Sequence, residues 1–309
     1  VAKILFIDDD SKVGNLHLMQ LSTHHKQRGD AVSLNEWNTP DKVYIGCLFK
    51  KNRARALGRA KLFPQAEIEI GGTGINYSAG NLEISKLKPD YDLYPSNKSM
   101  GRTTWGCIRN CGWCCVPQKE GKFKRWQHIS EFYDERFDTV YLLDNNILAD
   151  VDWFFENAAF IQEHGLAVKE GGMDIRLLTP KIAEKLRELK FDGLLHFAWD
   201  RVRDESKVLE GIKMLKKVGF DTKRETSFYI LTNYNTTKEE DMYRCETLRN
   251  LDATPFVMVY EDDCKADKWY KKLAKHVNRK TLFWSDTWKE GLELTKPAGD
   301  QSTIPKEGF

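Results

Sequence analysis

Cys107, Cys111 and Cys114 put three thiols within eight residues, in the pattern CxxxCxxC. Thiolates at such spacing hold soft metal. Three on one tight loop can take three corners of a cubane 4Fe-4S cluster and leave the fourth iron open. A closed zinc site calls for four protein ligands in paired halves, and no second half stands at a suitable distance downstream. Cys115 directly follows Cys114, so its side chain is expected to point away from its neighbour's metal, while Cys47, Cys245 and Cys264 are scattered singly. An irregular zinc loop, or a chance cluster of reduced thiols, is the competing reading of the same residues.

The loop resembles the cluster loop of the radical S-adenosylmethionine (SAM) superfamily, including an aromatic residue, Trp113, immediately before the third cysteine. The resemblance implies a partial (βα)6 barrel whose first strand delivers the loop. It implies a 4Fe-4S cluster on Cys107, Cys111 and Cys114, with SAM chelating the open iron and cleaved reductively to abstract hydrogen from a substrate. A low-potential donor such as flavodoxin or ferredoxin would supply the electron. By the same resemblance Trp113 packs toward the SAM adenine, and Asp144-Asn145-Asn146, at the end of the second barrel strand, meets the SAM ammonium. Arg176, sharing a face with Asp174, would clamp the carboxylate. Each of these has a plainer reading. Asp144 and Asn146 can turn the chain and cap the helix starting near Asp150, and Asp174 with Arg176 can form an internal salt bridge. A non-catalytic iron-sulfur redox sensor is the alternative of another class. The substrate is not legible.

The elements that must position these residues follow from apolar patterning. The chain is 41% hydrophobic and 30% charged over 309 residues, an ordinary globular composition with length for about two domains. Its formal net charge of +2 does not call for nucleic acid or membrane as an obligatory partner, though nucleic acid stays open as a substrate. No apolar run approaches a membrane span, and the N-terminus lacks the order of a signal peptide, so a cytoplasmic location is expected.

Residues 1–98 read as a doubly wound α/β domain, Rossmann-like, with strands at Ile4–Ile7, 31–34, 43–49 and 68–70. Asp8, Asp9 and Asp10 are expected to cap the following helix, and Lys50 to Lys61 reads as a helix with a solvated basic surface. This half resembles the cobalamin-binding domain that precedes some radical SAM barrels, through Asp9, Ser11, Gly14, Gly29-Asp30 and Gly71-Gly72. In that family a histidine occupies the position of Ser11 and binds cobalt. Serine is a poor cobalt ligand, so a substrate-positioning domain is expected rather than a working cobalamin site, with a cobalamin-dependent methyltransferase as the alternative.

Residues 99–262 read as the barrel, with strands at 102–105, 139–143, 166–168 running on through 173–176, 193–199, 227–231 and 255–260. Helices are expected around 129–136, after Thr179-Pro180, over Val208 to Leu215, and from a capping box at Thr237 and Glu240. Residues 263–309, with Trp269, Trp284 and Trp288, read as a helical appendage. Cys264 is isolated, so no auxiliary cluster is expected.

Overall fold

The computed structural model describes residues 1–36, 39–260 and 267–292. Its first sheet is built from β1 (Lys3–Asp8), β2 (Ala31–Leu34), β3 (Lys42–Gly46) and β4 (Glu67–Gly71), all parallel, in the order β2-β1-β3-β4. Successive residues of a strand point to opposite faces, and β1 shows the consequence. Ile4 and Phe6 pack with Leu18 and Leu21 of α1 (Leu16–Gln27), whereas Leu5 and Ile7 pack with Ala56 of α2 (Arg53–Ala60). The sheet is therefore buried on both faces, which is why β1 reads as an unbroken apolar run.

The three aspartates after β1 do not cap α1; Asn15 does, accepting from the Leu18 N–H at 3.4 Å. They hold loops instead. Asp8 accepts from the Tyr94 hydroxyl at 2.7 Å, Asp9 pairs with Arg55 and Arg59, and Asp10 accepts the N–H groups of Leu48 and Phe49. The basic run is thus partly neutralised. His25, near the end of α1, is buried and bridges Asp30 and Tyr44.

A second sheet begins at β5 (Ser99–Gly101). Chain order then gives β6 (Thr104–Trp105), α3 (Val116–Lys119), β7 (Lys124–Arg125), β8 (Thr139–Leu142), α4 (Val151–Glu163), β9 (Ala167–Glu170), α5 (Pro180–Glu188) and β10 (Lys190–Phe191). These are followed by β11 (Leu195–Ala198), α6 (Glu205–Lys217), β12 (Thr226–Thr232), α7 (Lys238–Asn250) and β13 (Pro255–Val259). Strands β10-β9-β8-β5 form one parallel sheet and β11-β12-β13 another; a bridge between Met173 and Phe197 joins them.

One face of these strands makes the main core: Val140, Leu142, Val168, Phe197, Phe228, Ile230 and Val257 pack with Ile161, Leu186, Ile212 and Leu248 from the helices. Alternation puts Tyr141, Lys169, His196, Tyr229, Phe256 and Met258 on the other face, where Phe256 and Met258 are 41% and 47% exposed. Helices α8 (Lys268–Val277) and α9 (Lys280–Phe283) extend the core beside β13, whose Val257 exchanges two hydrogen bonds with the Asn278 amide.

Three expectations change. The first strand of this half is 99–101, not 102–105, because the Asp144 carboxylate takes the N–H groups of Thr103 and Thr104 out of any parallel ladder, and Thr104–Trp105 instead pairs antiparallel with β7. The helix expected over 129–136 is a single 3-10 turn, Ile129–Glu131, closed by its capping box, after which the Phe132 carbonyl accepts from the Tyr91 hydroxyl rather than from a next turn. Residues 173–176 are not a strand: Asp174 caps a 3-10 turn, Ile175–Leu177. Cys264 and its neighbours Asp262 and Asp263 lie outside the described residues.

Candidate functional site

Parallel strands bring their C-terminal ends to one edge of a sheet, where open α/β structures place ligands. Asp144, Glu170, Asp200 and Asn233 all stand at or just after such ends, and the cysteine loop follows β6 beside them. The loop leaves the strand at Gly106, whose φ of +73° suits glycine and whose missing Cβ would stand 2.4 Å from the Lys122 carbonyl oxygen. Two carboxylates hold its base. Asp144 is buried and accepts from the N–H and hydroxyl groups of both Thr103 and Thr104, at 2.5 to 3.1 Å. Burial pushes its pKa up, against the pull of those donors. Glu120, just after α3, accepts from Arg102 at 2.7 Å, Asn145 at 2.7 Å and the Gly106 N–H at 3.2 Å. Burial raises its pKa, but Arg102 and then these hydrogen bonds outweigh it, and the carboxyl lies below its ordinary value.

Within the loop Cys107 and Cys111 are partly buried and Cys114 is exposed. The Arg109 N–H points at the Cys107 sulfur at 3.4 Å, and the Val116 N–H at the Cys114 sulfur at 3.5 Å. Burial pushes the Cys111 and Cys114 thiols up; Arg201 opposes this at Cys111, and neighbouring thiols add to it at both. Such a set is held deprotonated by a cation, and N–H groups aimed at sulfur suit a thiolate. Among the described residues no three His, Cys, Asp or Glu side chains stand at the mutual spacing of a metal site, so the fit to a cluster rests on the donor chemistry of the loop. Cys115 starts α3, its carbonyl accepting from the Lys119 N–H at 2.8 Å.

Trp113 meets the Tyr234 ring edge-on, centroids 5.2 Å apart, and the Arg201 guanidinium lies 4.8 Å from its own centroid. Asn146 caps a 3-10 turn, Ile147–Ala149, through its carbonyl, which also accepts from the Asp174 N–H; its amide nitrogen is buried with no partner among the described residues. Asp174 and Arg176 form a two-pronged pair that extends to Asp204 on one side and to Arg109 of the cysteine loop on the other. The salt-bridge reading of that pair is the one the geometry displays. Asp144 spends its lone pairs on two threonines, a role neither sequence reading foresaw.

Several residues escaped the sequence. Arg109 and Glu120 act through partners far along the chain. Glu170 is buried, accepts from the His196 N–H at 2.7 Å, and leaves its second oxygen unpartnered among the described residues; His196 stacks on Tyr229. Arg244 of α7, fully buried, ties the Trp199 and Leu231 carbonyls at 2.7 and 2.8 Å and pairs with Asp241. A charged residue on the strand-facing side of α7 was its only sequence signal.

No protein-family model matches the chain, and no curated protein matches it. Fold and site define an α/β protein of parallel sheets carrying a three-thiol loop beside their C-terminal edge. No helix of the described residues is long and apolar enough to cross a membrane.

Proposed function

We propose that this protein is a radical SAM enzyme, with a doubly wound Rossmann-like domain ahead of a partial (βα)6 barrel. The observation that carries the reading is a CxxxCxxC loop anchored at its base by two buried carboxylates and set at the C-terminal edge of parallel strands. Cys107, Cys111 and Cys114 would hold a 4Fe-4S cluster, which when bound supplies one electron for reductive cleavage of the SAM sulfonium, the released 5'-deoxyadenosyl group taking hydrogen from the substrate.

The chain's own residues do the positioning. Asp144 and Glu120 fix the loop, and Asn145 is fixed by Glu120 in turn. The unpartnered Asn146 amide is a donor ready for a carboxylate oxygen, and the Arg109–Asp174–Arg176 network joins the loop to the end of β9. Trp113, Tyr234 and Tyr260 form an aromatic wall beside the loop, with Tyr234 and Tyr260 4.8 Å apart. A flavodoxin or ferredoxin is the donor class that suits such a cluster.

The test is anaerobic reconstitution followed by reduction with SAM. About four irons per chain are expected, lost on replacing Cys107, Cys111 or Cys114 by Ser and kept in Cys115→Ser. Reduction should then yield 5'-deoxyadenosine. A redox sensor would load iron and give none; retention of iron by Cys114→Ser and its loss from Cys115→Ser would overturn the ligand set.

A further inference from the structure

A cavity of about 570 Å³ lies not in the cysteine loop but between the two halves of the chain. Its position follows from topology. The first sheet runs β2-β1-β3-β4, so the chain leaves β1 toward one side and returns to the other, and the crevice between β1 and β3 at their C-terminal ends is the switch point where open sheets take ligands. The cavity sits there, under residues 10–15, the first turn of α1 and Gly46, and the second half closes it with Trp105, Lys119 and Tyr141. Its size is in the range that small molecules occupy, about 300–1,000 Å³.

The walls are mostly apolar, with Leu16, Tyr44, Phe49, Ile70, Trp105 and Tyr141 among them. The charges are uneven. Arg102 is occupied by Glu120, and Glu69 by Lys42. Lys119, partly buried, has one hydrogen bond, to the neutral Thr73 hydroxyl at 3.1 Å, and no carboxylate partner among the described residues. Burial and then the charge of Arg102 push its pKa down, a cost that an anion would offset. His17 has no hydrogen-bond partner among the described residues, and burial holds its imidazole toward the neutral form. At the floor, a Cβ on Gly71 would meet nothing within 4 Å, so a ligand can approach the end of β4 closely.

We propose that this cavity binds a small molecule with a flat apolar body and one anionic group, the anion on Lys119 and the body between Tyr44, Ile70 and Trp105. It becomes the enzyme's substrate on the radical SAM reading above, because Trp105 and Tyr141 are shared with the cysteine-bearing half; occupancy itself does not depend on that reading.

Two fluorescent probes of one shape test it: 1-anilinonaphthalene-8-sulfonate, an aromatic anion, and N-phenyl-1-naphthylamine, its neutral counterpart. One equivalent of the anion is expected per folded chain. Gly71→Leu should fill the cavity and weaken both probes at least about tenfold with Tm and circular dichroism unchanged, as open space at that Cβ allows. Lys119→Met should weaken the anion about tenfold and spare the neutral probe. Displacement by adenosine monophosphate or by 4-phenylbenzoate supports the proposal and tells a phosphate from a carboxylate ligand. Unchanged binding in Gly71→Leu, equal loss of both probes in Lys119→Met, or a stoichiometric corrinoid that Gly71→Leu excludes would overturn it. Iron is counted in the same samples: anion binding without iron refutes only the cluster reading, and iron without anion binding refutes only the cavity.

Discussion

At the scale of single residues the network around Asp174 tests how the cysteine loop is held. Burial works against ionisation of Asp174, but the hydrogen bonds and charge of Arg176, then of Arg109, outweigh it and keep the carboxyl below its ordinary value. A depressed folded-state pKa means stability that is present above the unfolded value of about 3.9 and lost as pH falls through the folded one. Asp174→Asn is therefore expected to cost about 1–3 kcal/mol at pH 7, discounted because both arginines are partly exposed. Urea unfolding under reducing conditions should show a gap between wild type and variant that is constant from pH 6 to 8 and closes below about pH 4. A gap that persists at low pH would mean that shape, not charge, is the contribution. The CxxxCxxC spacing is visible in sequence because it is local. Asp144 was legible as a polar strand end and not as a tie to Thr103 and Thr104, since nothing local encodes a partner 40 residues away.

At the scale of elements, alternation and unbroken apolar runs located the strands, and Thr179 and Thr237 cap helices where their sequence signals put them, whereas the helix expected near Asp150 is capped by Asp150 itself and not by Asp144 or Asn146. The failures share a cause. Strand 102–105 and helix 129–136 were read from local pattern, and in both a long-range hydrogen bond, from Asp144 or from Tyr91, redirects the backbone. Gly101 marks the true strand: a Cβ there would stand 2.4 Å from the Phe132 ring. Phe132 is buried, so the ring has little room to give. Gly101→Ala should cost about 1–3 kcal/mol or more by overpacking, while Gly71→Ala, facing open space, should lie within about 0.5 kcal/mol of wild type. Differential scanning calorimetry of the pair checks this; an unshifted Gly101→Ala would show that β5 does not pack on Phe132 as described.

At the scale of the molecule, the two halves are joined by chemistry that no composition shift reveals. Met19 of α1, Tyr91 and Met100 of β5 share one apolar cluster, with Tyr94, Tyr141 and Leu143 against it. Residues 86–98, which carry two prolines and several charges, are thus a wedge between the halves. Tyr91 is its centre: its buried hydroxyl donates to the Phe132 carbonyl at 2.6 Å and accepts from the Met100 N–H at 3.0 Å. Tyr91→Phe keeps the ring and strands both partners, each costing about 1–3 kcal/mol when left dry. Because those partners lie in the second half while the ring packs on α1 of the first, wild type should melt in one cooperative transition that Tyr91→Phe lowers as a whole. Tryptophan fluorescence reports chiefly the second half, since eight of the nine tryptophans, all but Trp37, lie beyond residue 98, and far-ultraviolet circular dichroism reports both halves. The two curves should coincide before and after the substitution. Curves that separate in the wild type would show that the wedge does not couple the halves. Curves that separate only in Tyr91→Phe would place that coupling in the one hydroxyl, and the cavity between the halves would then be expected to lose its anion in the same variant.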